Sequence, residues 1–231
     1  MKKSKKIAIT GALGSIGSIL MNDLKDRYNL VGIDKQRSKA CLRLNLATDT
    51  KALRKAFTRC DVVVHLAWDN REDFPNLRIV PENKTIAENV YREALRAGVK
   101  RIIIASSVHA NDYRKISKGN MVPSSSDTPD TPYGASKIYI ESLGRFYAAN
   151  YGLEVICIRF GGLNPKNEIR LNEDPLYDKV LLYREDAIDL LIKCIDRPKM
   201  KHKFTLLYAV SNNKGRIHST KNDLDWKPRL P

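Results

Sequence analysis

The feature that most constrains this chain lies near its start. The apolar segment Ile7-Ala8-Ile9-Thr10 enters a turn with glycines at 11, 14 and 17, after which Ile16, Leu20 and Leu24 recur at helical spacing. That order predicts strand, tight turn and helix. The first glycine permits the bend, the second lets backbone approach a bound group, and the third lets helix and strand pack closely. The N–H groups that open such a helix, together with the positive end of its dipole, suit a phosphate. The spacing is G-x-x-G-x-x-G rather than the general G-x-G-x-x-G, so the glycines need context. Leu30-Val31-Gly32-Ile33-Asp34 supplies it as a second strand ending in Asp34, about 20 residues beyond Gly14. A carboxylate there accepts hydrogen bonds from both hydroxyls of a ribose and repels a 2′-phosphate. The segment therefore predicts a dinucleotide site that takes NAD in preference to NADP, with Lys35 and Arg37 able to offset the repulsion.

The alternation continues down the chain. Helical residues around 52–57 precede the strand Asp61-Val62-Val63-Val64-His65-Leu66, and a long amphipathic helix over 85–97 precedes Arg101-Ile102-Ile103-Ile104-Ala105. A polar stretch from Asn111 to Thr131 leads to a helix over 133–150 and a fifth strand, Leu153 to Ile158. Unbroken β-branched runs of this kind are strands buried on both faces, and their alternation with helices predicts right-handed βαβ units. The fold class is α/β, a Rossmann-type doubly wound parallel sheet in one domain over 1–231. The remainder holds a helix near 184–195 and a strand near 204–210, and is expected to form a small C-terminal cap, so that 160–231 supply most of the substrate-binding portion.

Composition narrows the setting. The four cysteines, at 41, 60, 157 and 194, are scattered without metal-ligand spacing, which predicts reduced thiols in a cytoplasmic protein and no metal site. The basic start followed by an apolar run imitates a signal peptide, but the glycines that interrupt it belong to the turn. No run approaches the length of a membrane span, and the sequon Asn83-Lys84-Thr85 then carries no meaning. The net charge of +15 attracts polyanions. Its cations are interleaved with acids outside the N-terminal cluster and the tail, and no aromatic-basic motif accompanies them, so no specific nucleic-acid partner is expected and a small anionic substrate is.

Tyr133-Gly134-Ala135-Ser136-Lys137 places a phenol and an ammonium four residues apart, on one face of a helix. A free phenol is a poor base at neutral pH, and making it one requires roughly 4 kcal/mol of differential stabilisation of the phenolate. Lys137, helped by a cationic nicotinamide ring, is a source of that stabilisation.

With these residues in place the chain resembles the short-chain dehydrogenase/reductase superfamily, in its extended NAD-dependent epimerase/dehydratase branch. The resemblance is carried by Thr10 to Gly17, Asp34, Asn45-Leu46, His65-Leu66-Ala67, Asn83 and Asn89, Ala105-Ser106-Ser107, and Pro132 through Lys137 to Glu141. It implies Ser107, Tyr133 and Lys137 as catalytic residues, with Ser106 facing the sheet or, in the reversed assignment, taking the role of Ser107. It implies cofactor contacts from Gly11, Leu13, Gly14, Ser15, Ile16, Gly17, Asp34, Asn45, Leu46, Leu66, Ala67, Trp68, Asn83, Tyr133 and Lys137. Asn45 stands where the branch more often has aspartate, and His65 is read as structural.

Within the branch the nearest group is the uronate dehydrogenases, which oxidise a hexuronic acid at its anomeric carbon. Ser106-Ser107-Val108-His109, Arg159-Phe160-Gly161-Gly162 followed by Arg170, Ser211-Asn212-Asn213 and Asp225-Trp226-Lys227-Pro228 carry that likeness. It implies Ser107, His109, Tyr133 and Arg170 as substrate contacts, with His109 equally open to a role as a loop residue. Val108 replaces an expected asparagine and Ser15 a glutamine. The short stretch of chain after Lys137 favours a small sugar over a sugar nucleotide. A homodimer through the helices carrying Asn83 and Tyr133 is also implied. Three functions follow: oxidation of a sugar or uronic-acid hydroxyl with Tyr133 as general base, epimerase or dehydratase chemistry with retained NAD, and a non-catalytic NAD-binding regulator.

Overall fold

The computed structural model describes residues 4–69, 78–113, 121–123, 128–172 and 174–230. Much of the polar stretch between Asn111 and Thr131, namely 114–120 and 124–127, lies outside the described residues. The elements run β1 (Lys6–Thr10), α1 (Ser15–Asp23), β2 (Asn29–Asp34), β3 (Cys41–Arg43), α2 (Thr50–Phe57), β4 (Val62–His65), α3 (Pro81–Arg96) and β5 (Arg101–Ser107). After a 3₁₀ turn, Val108–Ala110, come α4 (Pro132–Tyr151), β6 (Glu154–Phe160), α5 (Tyr177–Val180), α6 (Arg184–Asp196) and β7 (Phe204–Ala209). Among the described residues the strands form one seven-stranded parallel sheet in the order β3-β2-β1-β4-β5-β6-β7.

Alternate residues of the central strands feed two cores, as a two-faced sheet requires. Ile7 and Ile9, Val62 and Val64, Ile103 and Ala105 pack with Leu20 and Leu24 of α1 and with Leu190, Leu191 and Cys194 of α6. Ala8, Val63, Ile102 and Ile104 pack instead with Phe57 of α2, Val90 and Tyr91 of α3, and Ile140 of α4. Each Val, Leu, Ile or Phe among them, fully withdrawn from water, contributes about 1.5–3 kcal/mol.

Two expectations change. The strand count was short by β3, a three-residue edge strand whose Leu42 is half exposed, so no apolar run announced it. The C-terminal segment is not wholly a cap. Residues Phe204 to Ala209 pair with β6 along its length, from Val155 opposite Phe204 to Phe160 opposite Ala209, and α6 covers one sheet face. An apolar strand following an amphipathic helix extends a parallel sheet more readily than it folds over its edge, because the next sheet neighbour satisfies its backbone groups. What remains over the strand ends is the segment from Gly161 to Tyr183 with the loops after β7.

The chain winds outward from β1 through β2 to β3, then returns to β4 on the other side of β1. The reversal leaves a crevice beyond the carboxyl ends of β1 and β4, where open parallel sheets bind ligands. Thr10 and His65 face each other at that point in the register.

Candidate active site

The glycine turn is shaped by contacts that exclude side chains. Gly11 has φ +70°, in the left-handed region, and a Cβ on it would lie 2.6 Å from the Ala67 nitrogen. A Cβ on Gly17 would lie 2.1 Å from the Gly11 carbonyl oxygen, so the first turn of α1 rests directly on the bend. Gly14 caps α1, its N–H donating to the Gly11 oxygen at 3.1 Å, and Ser18 makes the first intrahelical bond at 2.9 Å. The amides of Ser15, Ile16 and Gly17 belong to the first turn, which has no intrahelical acceptor for them, and no acidic residue occupies that turn. The residues fit an anionic pyrophosphate.

Asp34, at the end of β2, is held by the chain itself. Its Oδ2 accepts from Leu13 N–H and its Oδ1 from Gln36 N–H, both at 3.0 Å. Each oxygen keeps a further lone pair, so the carboxylate is aimed before any ligand arrives. A cavity of about 190 Å³ beside it is lined by Gly11, Gly14, Asp34, Asn45, Leu46, Leu66, Ala67, Trp68 and Asn83, with Gln36, Leu44, Asp69 and Ile86 added to the residues read from sequence. Asn83 serves the wall of this cavity: its amide accepts from Asp69 N–H at 2.9 Å and donates to the Asp69 carbonyl at 2.8 Å. Asn89 similarly holds the carbonyls of Leu46 and Ala47, at 2.8 and 3.0 Å.

A larger cavity of about 610 Å³ opens on the other side of the turn. It brings together Ser15, Ile16 and Gly17 with Ser107, His109, Tyr133, Lys137 and Arg170, residues from α1, β5, the 3₁₀ turn, α4 and the segment after β6. Tyr133 and Lys137 sit in the first turns of α4, which starts at Pro132 after Thr131 Oγ1 accepts the Gly134 N–H at 3.0 Å. Lys137 is only 2% exposed; its Nζ donates to the Ala105 carbonyl at 3.0 Å and lies 5.3 Å from the Tyr133 ring centre.

The two serines part company here. Ser106 Oγ bonds Glu141, which is locked with the fully buried Arg159 through two contacts of 2.8 Å. Ser107 Oγ accepts the His109 N–H at 3.2 Å, which leaves its own O–H as a donor. His109 also pairs with Asp130 through Nδ1, at 2.9 Å, and its ring stands edge-on to Tyr133.

His65 is buried, bonds Thr10 Oγ1 through Nδ1 at 2.7 Å, and is pushed down to about 3 by burial and by the Lys137 charge. It is a neutral structural group. Arg170 is partly exposed and lies 3.8 Å from Glu168.

Sequence reasoning missed Asp130, Glu141 as a partner of Ser106, and Asp174, which accepts from Tyr113 in the same cavity. Asp130 is 21 positions from His109 and 3 from Tyr133, and only the latter spacing is visible in the chain.

A cavity of about 600 Å³ lies at the opposite, amino end of the strands, lined by Arg101, Glu154 and several lysines. Its buried cation is consumed by structure: Arg101 bonds Glu154 and the carbonyls of Cys194, Ile195, Arg197 and Pro198. Such carbonyls at a helix end disfavour an anion.

The sequence profile described as NAD dependent epimerase/dehydratase family matches residues 7–166. L-arabinose 1-dehydrogenase (NAD(P)(+)) of Haloferax volcanii is 31% identical over 181 residues, 73% of this chain and 71% of that protein. Uronate dehydrogenase of Pseudomonas syringae pv. tomato is 29% identical over 221 residues, 90% of this chain and 75% of that protein. The crystal structure of uronate dehydrogenase from Agrobacterium tumefaciens superposes with a TM-score of 0.80 at 25% identity, covering 97% of this chain and 84% of that one. Among the described residues no helix is long and apolar enough to cross a membrane.

Proposed function

This chain belongs to the NAD-dependent epimerase/dehydratase family, and within it we propose that it oxidises a hydroxyl of a small, anionic sugar, with NAD as the acceptor and Tyr133 as the general base. The observation that carries the reading is the meeting of Ser107, Tyr133 and Lys137 on one cavity that opens onto the glycine turn. A bound nicotinamide would accept hydride there; the chain's own groups handle the proton. The Tyr133 oxygen takes the proton of the sugar hydroxyl, and the Lys137 charge beside the ring favours the phenolate. Ser107 donates its O–H to the reacting oxygen, and Lys137 holds the nicotinamide ribose. Gly11, Leu13, Gly14, Ser15, Ile16 and Gly17 cradle the pyrophosphate, Asp34, Asn45, Leu46, Leu66 and Ala67 contact the adenosine, and Trp68 borders the path from the pyrophosphate to the nicotinamide.

Arg170, on the same cavity as Tyr133, supports an acidic sugar. His109 and Ser107 complete its contacts. The names of the L-arabinose and uronate dehydrogenases that this chain resembles favour net oxidation over epimerisation. A dimer through α3 and α4 belongs to the same reading, supported by Phe146 and Tyr151, half exposed on α4. A cytoplasmic setting is supported by the free thiols of Cys60, Cys157 and Cys194.

The test is NADH absorbance with NAD or NADP against hexuronic acids, neutral aldoses and sugar nucleotides. Net NADH with a hexuronic acid is expected. Interconversion of sugar nucleotides without net NADH overturns oxidation, and oxidation confined to neutral aldoses removes Arg170 as the determinant.

A further inference from the structure

Trp68 stands where the two cavities meet. It lines both, together with Gly11, Gly14 and Leu66, and of these four it alone carries a large side chain with a polar tip. The indole covers the Lys137 ammonium, with Nζ 4.1 Å from the ring centre, and its Nε1–H donates to Ser136 Oγ at 3.3 Å. Its edge faces His65, ring centres 6.4 Å apart.

The main chain on either side is fastened. Leu66 N–H bonds the Thr10 carbonyl at 3.1 Å, and Asn83 grips both the N–H and the carbonyl of Asp69. Movement at position 68 would therefore run through the side-chain torsions. A dinucleotide reaching from Asp34 to Tyr133 has to pass this residue. Its ribose must also reach Lys137, a residue 2% exposed whose Nζ lies against the indole face.

We infer that Trp68 is a movable partition and a positioning residue for Lys137: it holds the ammonium under its ring until a dinucleotide spanning both cavities turns the indole aside. The inference rests on the dinucleotide reading above. The hydrogen bond to Ser136 is long and the cation–ring contact is of modest strength, so a ligand with ordinary differential affinity can displace these two contacts. A ligand that fills only the Asp34 side has no reason to move it.

The chain has two tryptophans, and Trp226 is 1% exposed, so the difference between wild type and Trp68→Phe isolates the emission of Trp68. NAD should raise the acrylamide quenching of that emission, whereas ADP should bind without changing it. By calorimetry Trp68→Phe, which loses the hydrogen bond to Ser136 and keeps only a weaker aromatic face for Lys137, should bind NAD about two- to fourfold more tightly, with ADP unchanged. Ser136→Ala, which removes the hydrogen bond and leaves the ring, should act in the same direction to a smaller extent, and keeps the test intact should Trp68→Phe fold poorly. Equal responses to NAD and ADP, no response to NAD that does bind, or an unchanged ratio of NAD to ADP affinity in both variants overturns the partition. Absence of binding by NAD and NADP alike to wild type overturns the dinucleotide reading and the partition with it.

Discussion

Across the divide at Trp68 the cleft changes its building material. On the Asp34 side the chemistry is mostly main chain: the bend at Gly11, the cap at Gly14, the first-turn amides of α1, and a carboxylate aimed by two backbone N–H groups. On the Tyr133 side it is side chains converging from β5, the 3₁₀ turn, α4 and the segment after β6. The difference has energetic consequences. A main-chain site is fixed by the fold and fails when a neighbouring Cβ intrudes. A side-chain site is fixed by rotamers and partners, and one group can be removed while the fold and the other half persist.

The largest effect expected from that contrast is on the Tyr133 side. Tyr133→Phe keeps the ring and removes the proposed proton acceptor, so turnover on the true substrate should fall by roughly 10² or more. NAD should raise the melting temperature as it does for wild type. Lys137→Met should lower turnover too, and weaken NAD as well, because it serves both halves. If Tyr133→Phe turns over at the wild-type rate, the mechanism is wrong; if it loses NAD protection, the two halves are not separable.

Gly17→Ala tests the other half. The added methyl meets the Gly11 oxygen within a rigid backbone contact, and overpacking of this kind costs about 1–3 kcal/mol. Urea unfolding should show that loss, and the residual folded protein should lose its stabilisation by NAD. A variant as stable and as well protected as wild type would mean that α1 can slide off the bend without consequence.

The same contrast explains how much was legible in the sequence. The glycine spacing, Asp34, and the Tyr133–Lys137 repeat are local patterns, and the elements carrying them fall close to where periodicity predicted. The bond of Ser106 to Glu141, which Arg159 locks, needed contacts from β6 and α4, and the pairing of His109 with Asp130 needed the return of the chain before α4. Neither leaves a periodic trace. The role of β7 was misread because its neighbour β6 is known only once the sheet order is, and β3 because an exposed three-residue edge has no apolar alternation to display.

A pH effect sharpens the picture at the seam. His65 lies at the meeting of β1 and β4, and His218 is wedged between Tyr113 and Tyr208; burial pushes both down to about 3. Both stay neutral when folded, while in the unfolded chain they take up protons below about 6.5. Their stabilisation is therefore full above that pH and is lost as pH falls towards 3. The slope is at most about 1.4 kcal/mol per pH unit for each histidine. Urea midpoints at pH 7 and pH 5 should differ accordingly, and His218→Phe should flatten the difference. A variant with an undiminished pH dependence would place the titration elsewhere.

The smallest effect concerns Asp34, the side chain proposed to discriminate between NAD and NADP within the main-chain half. Asp34 carries the negative charge that a 2′-phosphate would meet, and Lys35 and Arg43 line a neighbouring recess of about 410 Å³ with Asn45 and Asp49. Two cations stand against two carboxylates here, so the proposed preference for NAD rests on the ribose hydrogen bonds and the close approach of Asp34 rather than on net charge. Asp34→Ala removes both and also releases the amides of Leu13 and Gln36, so NAD affinity should fall about tenfold, the scale of two charge-assisted hydrogen bonds partly replaced by water. NADP, freed of repulsion but losing the same preorganised turn, should change much less. The ratio of the two melting-temperature shifts should then approach one. A ratio that stays at its wild-type value takes Asp34 out of the site. A wild-type protein protected more by NADP than by NAD hands discrimination to Lys35 and Arg43, and makes even the main-chain half depend on a side chain that the glycine motif does not specify.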